Sequence, residues 1–216
     1  GKDNMVDAAL SNGASILSKD GKTVEINSDA WVAVWDSFRS WIHDDKTMKI
    51  HSGGQGWEYW YKTIDDVLAN KAGGYTGSSG DQADLDFTKV AAMEQPGWGS
   101  NASAPTANAL QLVMLENSSD EEKQGVYEFM KYFTTAENQA NWSMNTGYVA
   151  VRKSTQDVEK FKTYAKDHPQ ALVPLQQAMH GSILPEDPPG GKIWDALKIA
   201  ADEVEIEGKS AKEALD

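Results

Sequence analysis

The sequence predicts an α/β fold. Apolar residues at helical spacing alternate along the chain with short apolar runs of strand length, an alternation typical of α/β rather than all-α domains. The 216 residues can bury a core that needs neither a metal nor a disulfide, and the absence of cysteine agrees with this. Because no internal repeat or low-complexity tract divides the chain, it predicts one large domain or two small ones.

The composition excludes several function classes. The 33 acidic residues outnumber the 20 basic ones, and the net charge of −13 disfavours nucleic acid and anionic membrane surfaces as partners. A chain without cysteine cannot build iron–sulfur sites, zinc fingers or thiol catalysis. It has no run of about 18 apolar residues that could span a bilayer. It begins at Gly1 without a visible signal peptide, as a mature or trimmed product would.

The first third of the chain predicts a helix, a hairpin and two aromatic-rich helices. The helix that ends at Asn12-Gly13 is followed by two short apolar runs that flank Asp20-Gly21, a strong hairpin signal. Ser28 then caps a helix whose aromatic stripe is expected to lie in the core. The stripe consists of Trp31, Trp35, Phe38 and Ile42. The next helix carries aromatics at four of the five positions 57–61, so some of them must be exposed or line a cleft.

The stretch 73–81 organises our interpretation. It predicts a strand that runs into a small-residue turn and opens a helix. Its four glycines leave room for a ligand to approach the backbone, while two hydroxyls and a run of N–H groups supply donors. The alternative is a purely structural turn with an N-cap. The stretch alone leaves both interpretations open.

The later elements continue the alternation. Strands are predicted at 87–93 and 109–115, with a linker at 96–105 between them. A helix from Asp120 to Phe133 and a second one capped by Thr135 and stopped at Gly147 follow, and 148–152 is extended. A loop that contains Pro185, Pro188 and Pro189 then leads to Trp194 at the start of an acidic helix.

Four stretches together give the chain a resemblance to a known family. The sequence resembles the later part of the extracellular solute-binding proteins, family 1, which are the substrate-binding subunits of ABC importers for sugars and glycerol phosphates. The stretches are LSKDGK at 17–22 followed by Asn27-Ser28, YTGSSGD at 75–81, FMKYFTTAENQANW at 129–142 and TGYVAVRKS at 146–154.

The resemblance implies a two-lobed, periplasmic-binding-protein-like fold of type II and a chain that is a fragment lacking most of the N-terminal lobe. Residues 1–93 and 153–216 would build the C-terminal lobe, and 94–152 the crossing segment and part of the N-terminal lobe. The resemblance further implies an extracellular or periplasmic protein, anchored by an N-terminal lipid outside this fragment. Its partners would be a sugar or polyol and the permease subunits of an ABC transporter.

The resemblance also assigns a candidate ligand site. The turn residues would bind the ligand from one wall, Tyr148 would reach the cleft, and Trp194 would stack on a sugar ring. Trp57 and Trp98 are further candidates, because aromatic faces pack against sugar rings. Lys192 is the basic residue placed to meet the phosphate of a glycerol 3-phosphate. The turn residues are Gly77, Ser78, Ser79, Gly80 and Asp81.

A catalytic interpretation finds no machinery in the sequence. A nucleophile elbow at Ser79 would need glycines two residues before and after, but Asp81 occupies the second position. No phosphate-loop motif and no metal-ligand spacing is present, and we expect no cofactor. We therefore predict a binding protein rather than an enzyme. The alternatives are a glycosidase-like enzyme that uses acidic pairs, and a surface interaction module without a small ligand.

Overall fold

A computed structural model describes residues 1–187 and 190–216; Pro188 and Pro189 of the predicted proline-rich loop lie outside the described residues. The described chain is helical. Its α-helices are α1 (Lys2–Ser11), α2 (Asp29–His43), α3 (Glu58–Leu68), α4 (Asp120–Phe133), α5 (Ala136–Thr146), α6 (Glu159–Asp167), α7 (Val173–Ala178), α8 (Lys192–Asp202) and α9 (Ala211–Leu215). Short 3₁₀ helices span Ser79–Asp84, Lys153–Asp157 and Pro169–Leu172, and a π-helical turn spans Glu203–Glu207. No described helix is both long and apolar enough to cross a membrane.

The predicted strands are wrong for the described residues. Pairing there is limited to two isolated bridges, an antiparallel one between Leu17 and Val24 and a parallel one between Thr106 and Ser182. The predicted hairpin therefore survives as a turn with one bridge. Residues 87–93 and 109–115 form no strand. A strand needs a neighbouring backbone to satisfy its N–H and C=O groups, and no described strand lies beside either segment.

The described chain divides into two compact units. Unit 1 comprises Gly1–Thr76, Gln95–Ala107 and His180–Asp216, and unit 2 comprises Gly77–Glu94 and Asn108–Met179. These boundaries differ from those of the lobes expected from the resemblance, and the assignment of 1–93, 153–216 and 94–152 to lobes stays a prediction.

The core of unit 1 contains the aromatic stripe of α2. Trp31 and Trp35 are fully buried and Phe38 nearly so, as the helical spacing predicted, whereas Ile42, the fourth residue of the predicted stripe, is only half-buried. The two indole N–H groups donate to the carbonyl oxygens of Ser15, at 2.8 Å, and Met5, at 3.2 Å. Each large apolar ring therefore enters the core with its polar atom satisfied. Helices α1, α8 and α9 supply most of the other buried side chains, and Ile16 and Val204 add to them.

Unit 2 has a smaller core, formed by Ala140, Val158 and Phe161. Its helix α4 is amphipathic in sequence but contains no buried residue. Apolar side chains are also exposed along 109–115, where Leu110 is 95% exposed. The described part of unit 2 therefore leaves the apolar residues of α4 without full burial.

An ion cluster fixes the segment that precedes α3. The carboxylate of Asp66 lies 2.5 Å from the ammonium of Lys49 and 2.7 Å from Nε2 of His51. Hydrogen bonds from Lys49 and then His51 lower the pKa of the Asp66 carboxyl to about 2, from an ordinary value of 3.8. The folded carboxylate thus resists protonation more than the unfolded one. Its stabilising contribution is present above the unfolded pKa and is lost as the pH falls towards the folded pKa.

We expect Asp66→Asn to destabilise unit 1 at neutral pH, because the amide loses the charge-assisted bonds to Lys49 and His51. The variant should also lose less stability than the wild type as the pH falls from about 5 to about 2.5. Urea unfolding at a series of pH values measures both effects. Asp65→Asn is the matched control, since Asp65 is exposed on the same helix. Equal pH profiles of Asp66→Asn and the wild type would contradict this account.

Candidate functional site

The Gly/Ser turn of unit 2 is a capped 3₁₀ helix. Ser78 is the N-cap of Ser79–Asp84, and its hydroxyl oxygen accepts the N–H of Gly80 at 3.2 Å. In return, the carboxylate of Asp81 accepts the N–H of Ser78 at 3.2 Å. This reciprocal arrangement is a capping box, which serine followed three residues later by an acidic residue favours. The N-cap that we considered as an alternative is therefore present.

The cap changes which groups of the turn can meet a ligand. The N–H groups of Ser78 and Gly80 are used inside the cap, and that of Asp81 donates to the carbonyl oxygen of Ser78. These three amides are therefore already hydrogen-bonded within the turn, and their role as ligand donors stays a prediction. Gly77 and Ser78 are exposed and Ser79 is half-buried, whereas Asp81 is buried. The serine hydroxyls remain as the donors that a ligand could reach. Asp81 stabilises the turn by accepting the N–H of Ser78.

The loop after α5 packs directly on this turn. Helix α5 ends at Gly147, whose φ of 77° is the left-handed conformation that favours glycine. A β-carbon on Gly147 would collide with the carbonyl oxygen of Ser79, and one on Gly80 would lie 2.7 Å from Cζ of Tyr148. Two glycines thus allow the two segments to touch, with Tyr148 still 45% exposed.

We call Gly77, Ser78, Ser79, Gly80 and Tyr148 the turn–tyrosine surface. It combines hydroxyl donors with an aromatic face, which are the two group types that bind polyols. A cavity of about 10 Å³ beside Tyr148 is lined by Gln82, Ser143 and Thr155 among others. Because small-molecule sites occupy several hundred Å³, this cavity is too small to hold a sugar.

Trp194 lies in unit 1, in the first turn of α8. Its backbone N–H and that of Ile193 donate to the carboxylate of Asp187 at 3.0 and 3.2 Å, which caps the helix. The half-buried ring packs against the core, and the ammonium of Lys2 lies 5.4 Å from its centroid. A sugar stacked on that face would have to displace Lys2. Lys192 is exposed at the start of the same helix.

The other two tryptophans of the predicted site occupy different environments of unit 1. Trp98 packs against the core, nearly parallel to Phe38 at 6.5 Å and tilted against Trp41 at 5.8 Å between centroids. Trp57 precedes α3 and is 67% exposed, with Tyr59 as its aromatic neighbour. Trp98 thus has a clear packing role, whereas Trp57 presents an open ring to solvent.

The sequence analysis did not identify two residues that position the candidate site residues Ser79 and Trp194. Gly147 was identified only as a helix stop, although its contact with Ser79 lets the two motifs meet. Asp187 was not singled out, although it holds the backbone of Trp194. Asp187 lies outside the N-cap position of α8, which Gly191 occupies, so no local capping signal marked it. The described residues contain no group of three or more acidic or histidine side chains that could hold a metal ion.

Comparisons with known proteins place this geometry in context. The family model for bacterial extracellular solute-binding proteins matches residues 1–170. No curated protein matches the chain. Among solved structures, UgpB from Mycobacterium tuberculosis in complex with glycerophosphocholine is similar at 18% identity and a TM-score of 0.74, over 98% of this chain and 52% of its own.

Two further structures contain sugar-type ligands. Maltose-bound MalE3 from T. maritima has 18% identity and a TM-score of 0.69, with 99% of this chain and 54% of that chain covered. The GacH receptor of Streptomyces glaucescens, solved unliganded and with acarbose, has 14% identity and a TM-score of 0.75, with 99% and 54% covered. The chain therefore spans about half the length of the solved structures it matches.

These likenesses show the fold, which is that of about half of a periplasmic binding protein. The family consists of binding proteins, which confirms the prediction that the chain is not an enzyme and sets the glycosidase alternative aside. The match covers well over half of the chain, and it confirms the resemblance read from the four sequence stretches. The chain belongs to the bacterial extracellular solute-binding protein family.

Proposed function

We propose that the chain is part of the substrate-binding component of an ABC importer, and that it captures a sugar or related polyol for delivery to a permease. The observation that supports this proposal is the turn–tyrosine surface, in which the turn that carries Ser78 and Ser79 packs against Tyr148 at Gly80, with Tyr148 still 45% exposed. The family match and the maltose and glycerophosphocholine bound by similar structures support the choice of ligand class. An extracellular or periplasmic location with an N-terminal lipid anchor belongs to the same proposal.

The proposed mechanism is capture by closure of two lobes. Serine hydroxyls bond the hydroxyls of the ligand, the phenol ring covers its apolar face, and closure excludes water from both contacts. Trp194, Trp57 and Trp98 stay candidate aromatic contacts of the ligand. Because the chain spans about half the length of its solved relatives, we expect it to bind alone with millimolar or weaker affinity.

The ligand class divides into neutral sugars and glycerol phosphates. The exposed Lys192 at the start of α8 is the proposed phosphate contact. The net charge of −13 repels a phosphate at long range, so the neutral sugar is favoured. The variant Lys192→Ala should weaken binding of glycerol 3-phosphate and leave that of maltose unchanged.

A thermal-shift and tryptophan-emission screen tests the proposal. The probes are maltose, maltotriose, glycerol 3-phosphate and sn-glycero-3-phosphocholine. A ligand at about 20 times its Kd should stabilise the chain by about 1.8 kcal/mol, and the compound should be recovered unchanged. Ser79→Ala should reduce the shift, whereas Ser154→Ala, an exposed serine of the same unit, should not. No shift with any probe, for this chain and for the full-length protein, would overturn the proposal.

A second candidate function is a surface interaction module without a small ligand. The exposed apolar side chains of α4 and of 109–115 favour it, because contiguous exposed apolar surface often marks a protein interface. Concentration-dependent self-association or partner binding, together with unchanged stability in all four probes, would favour this alternative.

A further inference from the structure

The polar face of α1 makes an unusual set of contacts. Asn4, Asp7 and Ser11 are three and four residues apart, so they lie on one face of the helix. All three side chains bond to residues from distant parts of unit 1. The apolar residues of α1, Met5 and Ala9 among them, are buried in the core. Helix α1 is therefore anchored in the core by its apolar residues, while its polar residues bond to other segments of unit 1.

The partners of this face lie where the chain passes between the units. The chain leaves unit 1 after Thr76 and returns at Gln95, then leaves again after Ala107 and returns at His180. We call these four places the passages. The partners of α1 are Thr76, Gln95, Ala104 and Thr106, each within a few residues of a passage on the unit 1 side.

Asp7 and Ser11 provide the strongest of these contacts. The carboxylate of Asp7 accepts the backbone N–H of Thr106 at 2.8 Å and its hydroxyl at 2.7 Å. The buried hydroxyl of Ser11 accepts the N–H of Ala104 at 3.0 Å and the side-chain amide of Gln95 at 3.2 Å. It also donates to the carbonyl oxygen of Asp7 at 2.8 Å, so its hydrogen-bonding capacity is filled.

The first and fourth passages are also connected to α1. The amide of Asn4 donates to the carbonyl oxygen of Thr76 at 3.3 Å. The segment after the fourth passage bonds to 104–107, because the hydroxyl of Ser182 donates to Ala104 at 2.6 Å and its N–H to Pro105 at 2.7 Å. Segment 104–107 is thus held by α1 and by Ser182, and all four passages are tied to α1 directly or through it.

We propose that the polar face of α1 is the fixed mount of a hinge, in which Asp7 and Ser11 are positioning residues for ligand capture. This inference rests on the proposed function, since a hinge has a role only if the lobes close on a ligand. With 104–106 and 182 held on α1, the backbone rotations that accompany closure occur beyond Ala107 and before His180. If the hydrogen bonds of Asp7 and Ser11 were lost, the affinity for the ligand would fall although neither residue contacts the ligand. The reason is that the passages would no longer be held in the conformation that closure needs.

Amide hydrogen exchange tests the mount without any ligand. Asp7→Leu removes the carboxylate oxygen Oδ1 that accepts both the N–H and the hydroxyl of Thr106. We expect exchange of the Thr106 and Ala107 amides to accelerate about tenfold or more. Asp7→Asn keeps an acceptor oxygen in place and should restore most of the protection. Ser11→Ala should accelerate the Ala104 amide in the same way. The control is Ser37→Ala, which removes a hydroxyl bond within α2, away from the passages.

Unchanged exchange at 104–107 in Asp7→Leu would overturn the proposal. The indole N–H signal of Trp35 reports whether each variant keeps its core, because that group bonds to Met5 of α1. Should Asp7→Leu fail to fold, Thr106→Val replaces it. This variant deletes the hydroxyl bond but leaves the backbone bond, and should give a smaller acceleration at Thr106 and Ala107.

Measuring the ligand affinity of each variant distinguishes failure of this proposal from failure of the proposed function. Maltose and sn-glycero-3-phosphocholine are titrated against each variant by NMR, and Asp7→Leu should raise the Kd about threefold to tenfold while Asp7→Asn leaves it near the wild-type value. Faster exchange with an unchanged Kd would reduce Asp7 to a structural role and overturn the proposal. If the wild type bound neither probe, the proposed function would fail, and the exchange arm alone would decide whether the mount exists.

Discussion

Replacing Gly147 by alanine is expected to destabilise unit 2 by about 2–4 kcal/mol and to separate the two halves of the turn–tyrosine surface. Alanine is strained at the φ of 77° that Gly147 adopts, and its β-carbon would collide with the carbonyl oxygen of Ser79. It would also lie 2.7 Å from Cβ of Gln82. Backbone atoms cannot move aside as the end of a flexible side chain can. The loop must therefore shift away from the turn.

Gly125→Ala is the matched control for this prediction. Gly125 lies inside α4 in the same unit, with open space where a β-carbon would be placed. Alanine there should stabilise the helix by about 0.5–1 kcal/mol, because glycine is a poor helix former. Denaturant unfolding followed by amide signals of unit 2 measures both variants. If Gly147→Ala were as stable as Gly125→Ala, the contact between Gly147 and Ser79 could not be as close as described.

Trp35→Ala is expected to cost about 3–5 kcal/mol of stability in unit 1. The ring is fully buried, meets Trp31 edge to face at 5.8 Å between centroids, and donates its N–H to Met5 of α1. Truncation leaves a large cavity and removes the indole bond to the Met5 carbonyl oxygen. Since α1 packs on this ring, the passages tied to α1 should also lose protection against hydrogen exchange.

Trp57→Ala provides the comparison within the same unit. Trp57 is 67% exposed, so its removal should change stability by less than about 0.5 kcal/mol. Unfolding curves of the two variants, followed by the remaining indole signals, give the difference directly. A cost below about 1 kcal/mol for Trp35→Ala would contradict the description of the core.

Local signals in the sequence predicted most helices well. Ser28 and Thr135 are N-caps, Asp120–Phe133 is a helix, and α5 ends at Gly147 in the left-handed conformation, all as predicted. Capping and helix periodicity depend on residues within one or two turns, so one sequence contains the information. The buried stripe of α2 was predicted for the same reason, because its aromatic spacing is strictly helical.

Predictions that depend on distant partners failed. Residues 109–115 have the composition of a buried strand, yet pairing is decided by another part of the backbone, and Leu110 and Val113 are exposed. Trp98 lies in a linker without periodicity, so its burial against Phe38 could not be predicted from spacing. The meeting of Gly147 and Ser79 likewise depends on tertiary packing. The resemblance to a family, rather than the local pattern, brought Tyr148 and the Gly/Ser turn into one predicted site.

A ¹H–¹⁵N NMR titration of the chain with maltose and, separately, sn-glycero-3-phosphocholine identifies the residues that contact the ligand. We predict saturable shifts concentrated on the amides of 77–81 and 147–148, with a millimolar or weaker Kd. Ser79→Ala and Tyr148→Ala should weaken them, whereas Ser154→Ala should not. Saturable binding that leaves these amides unmoved and shifts signals elsewhere would show that the turn–tyrosine surface is not the ligand wall.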